Sequence, residues 1–343
     1  MTLDLTKPAN STPALSSEIR ENFTALAQSL GQSNLIPNGN GVIWPTATMP
    51  GHFLQYGTNA TTCERTTGTF PGETHIVASG SGDSQVAYSM APTSVFDADV
   101  FSGVPLSTGE WVKTSAASAG RLFIDFYPGG VSDPDYSAWG SGAGTWEWLT
   151  VTATCPANAT RIIVGRENPT SKEAWYYGLT GWFGAAPPQY FVPCEMQLGT
   201  LFFPFAGSAT TDTTYEENNF EFAKPAIVFG SRAICRTAPV TTSFTWNVGK
   251  LTTAETTYSA LYTSDLAIAA GSKRGDASTF APTTATYANK CFDGRVSAGG
   301  SLTANNVLGV KRTAAGGTAA VDVKIMVVVG QFSEPLVAYR GTS

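Results

Sequence analysis

Only 13% of the 343 residues are charged, and His52 and His75 are the two histidines. So few histidines exclude a His-rich zinc site and a HExxH helix. Charge of one sign is not concentrated either. Residues 1–200 hold eight Lys/Arg against sixteen Asp/Glu, a balance of −8, and residues 201–343 hold twelve against ten, a balance of +2. Neither half carries the basic stripe that a phosphate backbone requires, so no nucleic-acid partner is expected. Cys63, Cys155, Cys194, Cys235 and Cys291 are odd in number and scattered, with no CxxC pair. That argues against a disulfide framework and a Cys-type zinc site, and for reduced, packed thiols in a chain that folds in a cytoplasm. The longest aliphatic run, "IMVVVG", is far too short to span a bilayer, so no membrane insertion is expected. "MTLDLTKPAN" has no apolar h-region, and no signal peptide is expected. No GxSxG elbow, P-loop or helix-opening GxGxxG occurs, so nothing calls for a cofactor or a catalytic centre.

What the chain has instead is 35 Gly, 20 Pro, 11% aromatic residues and 42% apolar residues. Turn-formers with aromatic and β-branched residues favour antiparallel β architecture, and the length suggests two domains. The exception is the start. Thr12 can cap a helix beginning at Pro13, and Leu15, Ile19, Phe23, Leu26 and Leu30 recur at spacings of 4, 4, 3 and 4 up to Gly31. So narrow a stripe reads as an attachment or oligomerisation seam whose partner is another chain. The Pro/Gly-rich "NLIPNGNGVIW" then reads as a hinge.

From there to about residue 195, short candidate strands such as "RLFIDFY", "TWEWLTVTATC", "TRIIVGRE" and "AWYYGLTGWFG" are separated by turn sequences such as "GSGAG" and "ENPTSKE". Seven or more strands at this spacing read as a jelly roll or other β-sandwich. A second β region runs from 196 to 343, in which "VDVKIMVVVG" reads as a central strand buried on both faces. The fold class expected is mainly β: a helix over 1–33, a jelly roll over 34–195, and a second β-sandwich over 196–343.

Aromatics carry the clearest chemical signal. Trp139, Trp146, Trp148, Trp175, Tyr176, Tyr177 and Trp182 crowd into 44 residues. In a strand Trp175 and Tyr177 face opposite to Tyr176, so in a half-buried sheet some ring reaches solvent. Exposed flat rings stack on sugars or anchor protein interfaces; the competing reading is core and subunit contact. Trp139, in the turn-rich "DYSAWGSGAG", is hardest to place in a core. Trp139, Trp182, Trp175 and Tyr176 are therefore the candidate carbohydrate-binding residues. Asp125, Asp133 and Asp135 cluster near a strand end, but Asp-Pro-Asp is ordinary turn chemistry and no metal is assigned to it. Arg274-Gly275-Asp276, in a Gly/Ser-rich stretch, reads as a solvated turn.

Three stretches resemble bacteriophage virion proteins, especially tail fibres. "PANSTPALSSEIRENFTAL" is similar to their short attachment helices. "NLIPNGNGVIW", with the later "GTWEWLTVTATCPANATRIIVGRENPTSKEAWYYGLTGWFGAAPPQYFVP", resembles a carbohydrate-binding-module jelly roll. "FEFAKPAIVFGSRAICRTAPVTTSFTW" and "VVVGQFSEPL" resemble the C-terminal β domain of phage fibres. Cys235-Arg236 stands where that family has Met-Arg, and Gly178-Leu179-Thr180 replaces an acidic position of the module family. The resemblance implies a non-enzymatic virion protein, assembled in the bacterial host's cytoplasm, homotrimeric, and bound to other virion proteins. Its expected role is a tail-fibre adhesin for host-surface polysaccharide. The alternatives are a capsid decoration or head-fibre protein and, further off, a polysaccharide depolymerase.

Overall fold

The computed structural model describes residues 34–56, 61–78, 84–90, 102–127, 134–157, 159, 161–169, 171–184, 196–208, 219–222, 225–251, 258–262, 264–275, 290–292, 307–313 and 320–332. These residues form β-strands and contain no α-helix. The expected helical component of the fold class is thereby corrected to all β. The stripe of Leu15, Ile19, Phe23, Leu26 and Leu30 lies outside the described residues.

The chain divides into two units. Unit 1 comprises 1–42, 48–195 and 333–343, and unit 2 comprises 43–47 and 196–332. Among its described residues unit 1 contains ten strands: β1 (Phe53–Tyr56), β2 (Thr61–Thr67), β3 (Pro71–Ala78), β4 (Ser84–Met90), β5 (Pro105–Thr114), β6 (Arg121–Tyr127), β7 (Asp135–Tyr136), β8 (Trp146–Thr154), β9 (Arg161–Asn168) and β10 (Glu173–Phe183). They form a front sheet ordered β1-β4-β9-β6-β7 and a back sheet ordered β2-β3-β10-β5-β8, antiparallel throughout. From β3 to β6 the chain alternates between the sheets, and β7 to β10 return to lie between or beside them. That strand order is a jelly roll.

The alternation of side chains decides each face. Leu122, Ile124 and Phe126 of β6 and Ile162 and Val164 of β9 turn inward from the front sheet. Leu106 and Val112 of β5, Leu149 and Val151 of β8, and Ala174 and Tyr176 of β10 turn inward from the back sheet, all buried. The stretch read as a hinge is instead held down. Asn34 Oδ1 accepts from Ile36 N and Gly181 N, both at 2.9 Å, while its Nδ2 donates to Leu179 O at 2.7 Å. Asn38 Nδ2 donates to Gly51 O at 2.9 Å, and Ile36 is fully buried. Asn34 stands in as a partner for the backbone of β10 and Asn38 for that of Gly51, so a segment of turn composition packs as core.

Unit 2 contains β11 (Met196–Ser208), β12 (Phe220–Glu221), β13 (Ala226–Thr237), β14 (Phe244–Leu251), β15 (Tyr258–Ala260), β16 (Leu266–Ile268), β17 (Cys291–Phe292), β18 (Val307–Thr313) and β19 (Val321–Phe332). One sheet runs β11-β19-β13-β17. The other runs β12-β18-β14-β15, with β16 also on β14. Between them lies a core that includes Trp246, Val248, Phe292, Leu308, Ile325 and Val327. The strand β19 is central, as its sequence suggests, but buried on one face only. Val323, Ile325, Val327 and Val329 face the core, whereas Lys324 is exposed and Met326 and Val328 are half-buried. Gly275 also departs from expectation. It is buried, and a Cβ there would lie 2.4 Å from the Trp246 ring, so close packing rather than a solvated turn requires glycine. The four described cysteines are buried free thiols; Cys194 lies outside the described residues.

Candidate functional site

The outward face of the front sheet is built from four facing rows. Tyr56, Gln85, Glu167 and Arg121 are successive register partners across β1, β4, β9 and β6, as are Leu54, Ala87, Gly165, Phe123 and Tyr136 across to β7. Ile163 pairs with Asp125 in the row beyond, and Arg161 with Tyr127 past that. Ala87, Phe123 and Ile163 form a buried apolar floor against which Tyr56 and Tyr136 pack. Gly165 is what lets this floor close. A Cβ there would sit 2.6 Å from the Phe123 ring and 2.8 Å from Ala87 Cβ, so the ring lies over β9 only because that strand has no side chain at this point.

Polar groups on the floor are fixed by one another. Tyr56 stacks on Phe123 with centroids 5.8 Å apart, and its hydroxyl donates to Asp125 Oδ2 at 2.5 Å. Burial, and after it this hydrogen bond to Asp125, pushes the Tyr56 phenol up to about 12, so it remains a donor at neutral pH. Glu167 is buried beneath three donors. Arg121 Nε and Nη2 reach its Oε1 at 2.8 and 2.5 Å, and Gln85 Nε2 reaches its Oε2 at 2.5 Å. The Arg121 guanidinium is also a layer in an aromatic stack, 3.4 Å from the Tyr136 centroid and 4.1 Å from that of Trp139. Arg161 lies 4.4 Å from the Tyr127 centroid, and Tyr127 is 48% exposed. Among the described residues, the two guanidinium groups of Arg121 and Arg161 balance the carboxylates of Asp125 and Glu167 on this face. It offers half-exposed rings beside fixed guanidinium groups, a combination suited to a polyol.

The outward face of the back sheet has more tryptophan, and Trp111, Trp146, Trp148 and Trp175 are half-buried there, as Trp139 is on the front face. Trp175 is stacked on His75 at 4.6 Å and 10°, with Lys113 Nζ 4.7 Å from its centroid. Lys113 also lies 5.3 Å from the Trp146 centroid, and Phe70 stacks on Tyr177 at 4.4 Å while meeting Trp146 edge-on at 5.1 Å. Trp111 and Trp148 meet edge to face at 5.4 Å. His75 Nε2 lies 3.2 Å from Glu173 Oε2. These rings cap one another, which is how a sheet dries its own surface.

The structure therefore separates the four aromatic candidates. Trp139 joins the front face. Trp175 and Trp182 belong to the back sheet, Trp175 capped and Trp182 half-buried in register with Ser107. Tyr176 is corrected from ligand contact to core: it is fully buried, and its hydroxyl reaches Asn168 Oδ1 and, at 3.1 Å, Glu167 O. Tyr56, Gln85, Arg121, Phe123, Tyr136 and Glu167 were not singled out in the sequence. The available signal was the alternation in "RLFIDFY", where Arg121, Phe123, Asp125 and Tyr127 share the face opposite to Leu122, Ile124 and Phe126. Asp125 is engaged by Tyr56, Asp133 lies outside the described residues, and no group of three or more metal-ligating side chains occurs among the described residues.

No family model matches the chain, and no curated protein matches it in sequence. Solved structures do superpose on it. The enzymatically active domain of tailspike protein 4 from bacteriophage CBA120 is 14% identical, with a TM-score of 0.33, over 44% of this chain. The chain spans 21% of that tailspike's length. The tandem CBM22-1–CBM22-2 domain of Xyn10C from Paenibacillus barcinonensis is 10% identical, with a TM-score of 0.31, over 85% of this chain and 96% of its own. A triple-jelly-roll turret protein of an archaeal virus is 10% identical, with a TM-score of 0.21, over 81% of this chain and 60% of its own.

Proposed function

We propose that this protein is a carbohydrate-binding component of a bacteriophage virion, a tail-fibre type adhesin that holds a host-surface polysaccharide on the front face of its jelly roll. One observation carries the binding reading. The Tyr136–Arg121–Trp139 stack and the exposed Tyr127 ring beside Arg161 lie on one face, so rings for pyranose faces and guanidinium donors for hydroxyls share one surface. The virion role rests on the sequence resemblance to phage fibres.

Binding without hydrolysis is the reading the same face supports. Both carboxylates on it are committed, Asp125 to Tyr56 and Glu167 to Arg121 with Gln85.

The test is calorimetric titration of the full chain with purified host-surface polysaccharides, alongside Trp139→Ala and Arg121→Ala. Parent binding that both variants lose, with no reducing sugar released, is the expected result. Loss through Trp182→Ala instead would move the site to the back sheet. Sugar release would replace the adhesin by a depolymerase.

A further inference from the structure

β9 lies between β4 and β6 in the front sheet, and consecutive residues of a strand point to opposite faces. Arg166 therefore turns inward and Glu167 outward, to the face that carries Arg121, Tyr136 and Trp139. The register sets Glu167 directly opposite Arg121 of β6 and Gln85 of β4. Opposite charges so placed pair across the strands. The Glu167 side chain is 1% exposed and that of Arg121 19%. A ligand on this face meets the guanidinium, and the carboxylate lies beneath it, out of reach.

The carboxylate does two things to the guanidinium above it. Arg121 Nε and Nη2 both donate to Oε1, and these charge-assisted bonds fix the guanidinium 3.4 Å from the Tyr136 centroid and 4.1 Å from that of Trp139. The same contact cancels the Arg121 charge, and among the described residues Glu167 is the carboxylate within ion-pair distance of it. The Glu167 charge is also felt at Tyr136, where it is the largest cause after burial of a phenol raised above its ordinary value. Arg161 does not restore the lost positive charge. It lies three rows along the face, and Asp125 stands in the row beside it. A carboxylate on an incoming sugar would thus meet a guanidinium already neutralised. It would do so in a half of the chain where eight Lys/Arg face sixteen Asp/Glu over residues 1–200.

We propose that Glu167 sets the sugar specificity of the front face: by cancelling the Arg121 charge from below, it makes the face take uncharged sugars and refuse acidic ones such as uronates. The proposal rests on the polysaccharide-binding reading of that face. Specificity is a difference of two affinities, and a buried counter-ion lowers only one of them. A neutral pyranose uses the rings and the remaining Arg121 N–H groups, which the pair holds in place. A uronate gains most from an unpaired guanidinium, whose fork matches a carboxylate, and the pair removes that partner. Glu167 acts through Arg121 and is a positioning residue.

Calorimetric titration of the full chain tests this with two probes. One is the host-surface polysaccharide that the protein retains, and the other is the same polymer with its primary hydroxyls oxidised to carboxylates. The unaltered protein is expected to bind the oxidised polymer about tenfold more weakly. Glu167→Gln keeps the size of the side chain and removes its charge, so the two affinities are expected to draw level or cross. R121Q/E167Q lacks both charges and is expected to show no gain for the oxidised polymer. A variant that merely loosened the sheet would weaken both polymers alike and leave their ratio where it was. That unchanged ratio in Glu167→Gln would overturn the proposal, as would a gain in R121Q/E167Q. Equal affinity of the unaltered protein for both polymers would overturn it without any variant. Failure of the adhesin reading is distinct, because the protein then retains no polysaccharide at all, and this proposal falls with it.

Discussion

Glu110 and Arg166 form a buried ion pair that bridges the two sheets of the jelly roll, Nη2 to Oε1 at 2.6 Å and Nε to Oε2 at 2.9 Å. Glu110 lies on β5 of the back sheet and Arg166 on β9 of the front sheet, and neither side chain is more than 1% exposed. The Phe53 and Tyr176 rings flank the guanidinium at 4.9 and 5.5 Å. Burial raises the Glu110 carboxyl above the usual carboxylate range, and the Arg166 charge is what opposes that rise.

Breaking the pair is expected to cost far more than replacing it. Arg166→Met alone strands a buried carboxylate and lowers stability by about 3–5 kcal/mol. E110L/R166M removes both charges and is expected to be neutral or stabilising by about 1–4 kcal/mol. Urea denaturation of the two variants checks this. A single variant as stable as the double would show that the charges do not interact.

The two aromatic faces are expected to respond oppositely to truncation. Trp175 is packed between His75 and Lys113, so Trp175→Ala opens a capped surface and destabilises by about 1–3 kcal/mol without weakening polysaccharide binding. Trp139→Ala weakens binding and changes the melting temperature less. Melting curves and titrations on both variants separate the roles. Lost binding in Trp175→Ala with an unchanged melting temperature would reverse them.

How far these faces were legible depends on the range of the interactions that define them. The alternation of Trp175, Tyr176 and Tyr177 is local, and it correctly sets Tyr176 opposite to its neighbours. Whether Trp175 is then open or capped is settled by His75 and Lys113, about 100 and 60 residues away in sequence, and no local pattern carries that. The same holds for Tyr56, whose ring and hydroxyl are placed by Phe123 and Asp125 of a strand far along the chain. Composition misled at Asn34–Asn38. Asparagine, proline and glycine favour turns because they satisfy backbone groups locally, yet here the Asn34 amide also satisfies the backbone of β10 and the Asn38 amide that of Gly51.

Asn34 makes that last point measurable. Asn34→Ala would leave Gly181 N–H and Leu179 O without their buried partner, at a cost of about 1–3 kcal/mol for each unsatisfied group. Faster amide exchange at Gly181 together with a lowered melting temperature is the expected result. Unchanged exchange would mean that Ile36 packing and the backbone bonds of Leu35 and Gly39 to β10 hold the segment without the Asn34 amide.

Alkaline pH is expected to unfold the protein over a defined window. Tyr56 and Tyr262 are raised from 10.0 to about 12, both chiefly by burial, and Tyr56 further by the hydrogen bond to Asp125. Cys63 and Cys155 are raised by burial from 9.0 to about 12. Between the ordinary and the raised values, the unfolded chain has lost these protons while the folded chain keeps them. The unfolded state then binds fewer protons, so the stability falls as pH rises. The contribution is complete below about pH 9, declines through the thiol and then the phenol range, and is gone near pH 12. Tyrosinate absorbance and circular dichroism followed together should show the late-ionising tyrosines titrating with loss of β structure. Phenolate appearing near pH 10 for every tyrosine, with the β spectrum intact, would mean that Tyr56 and Tyr262 are solvated.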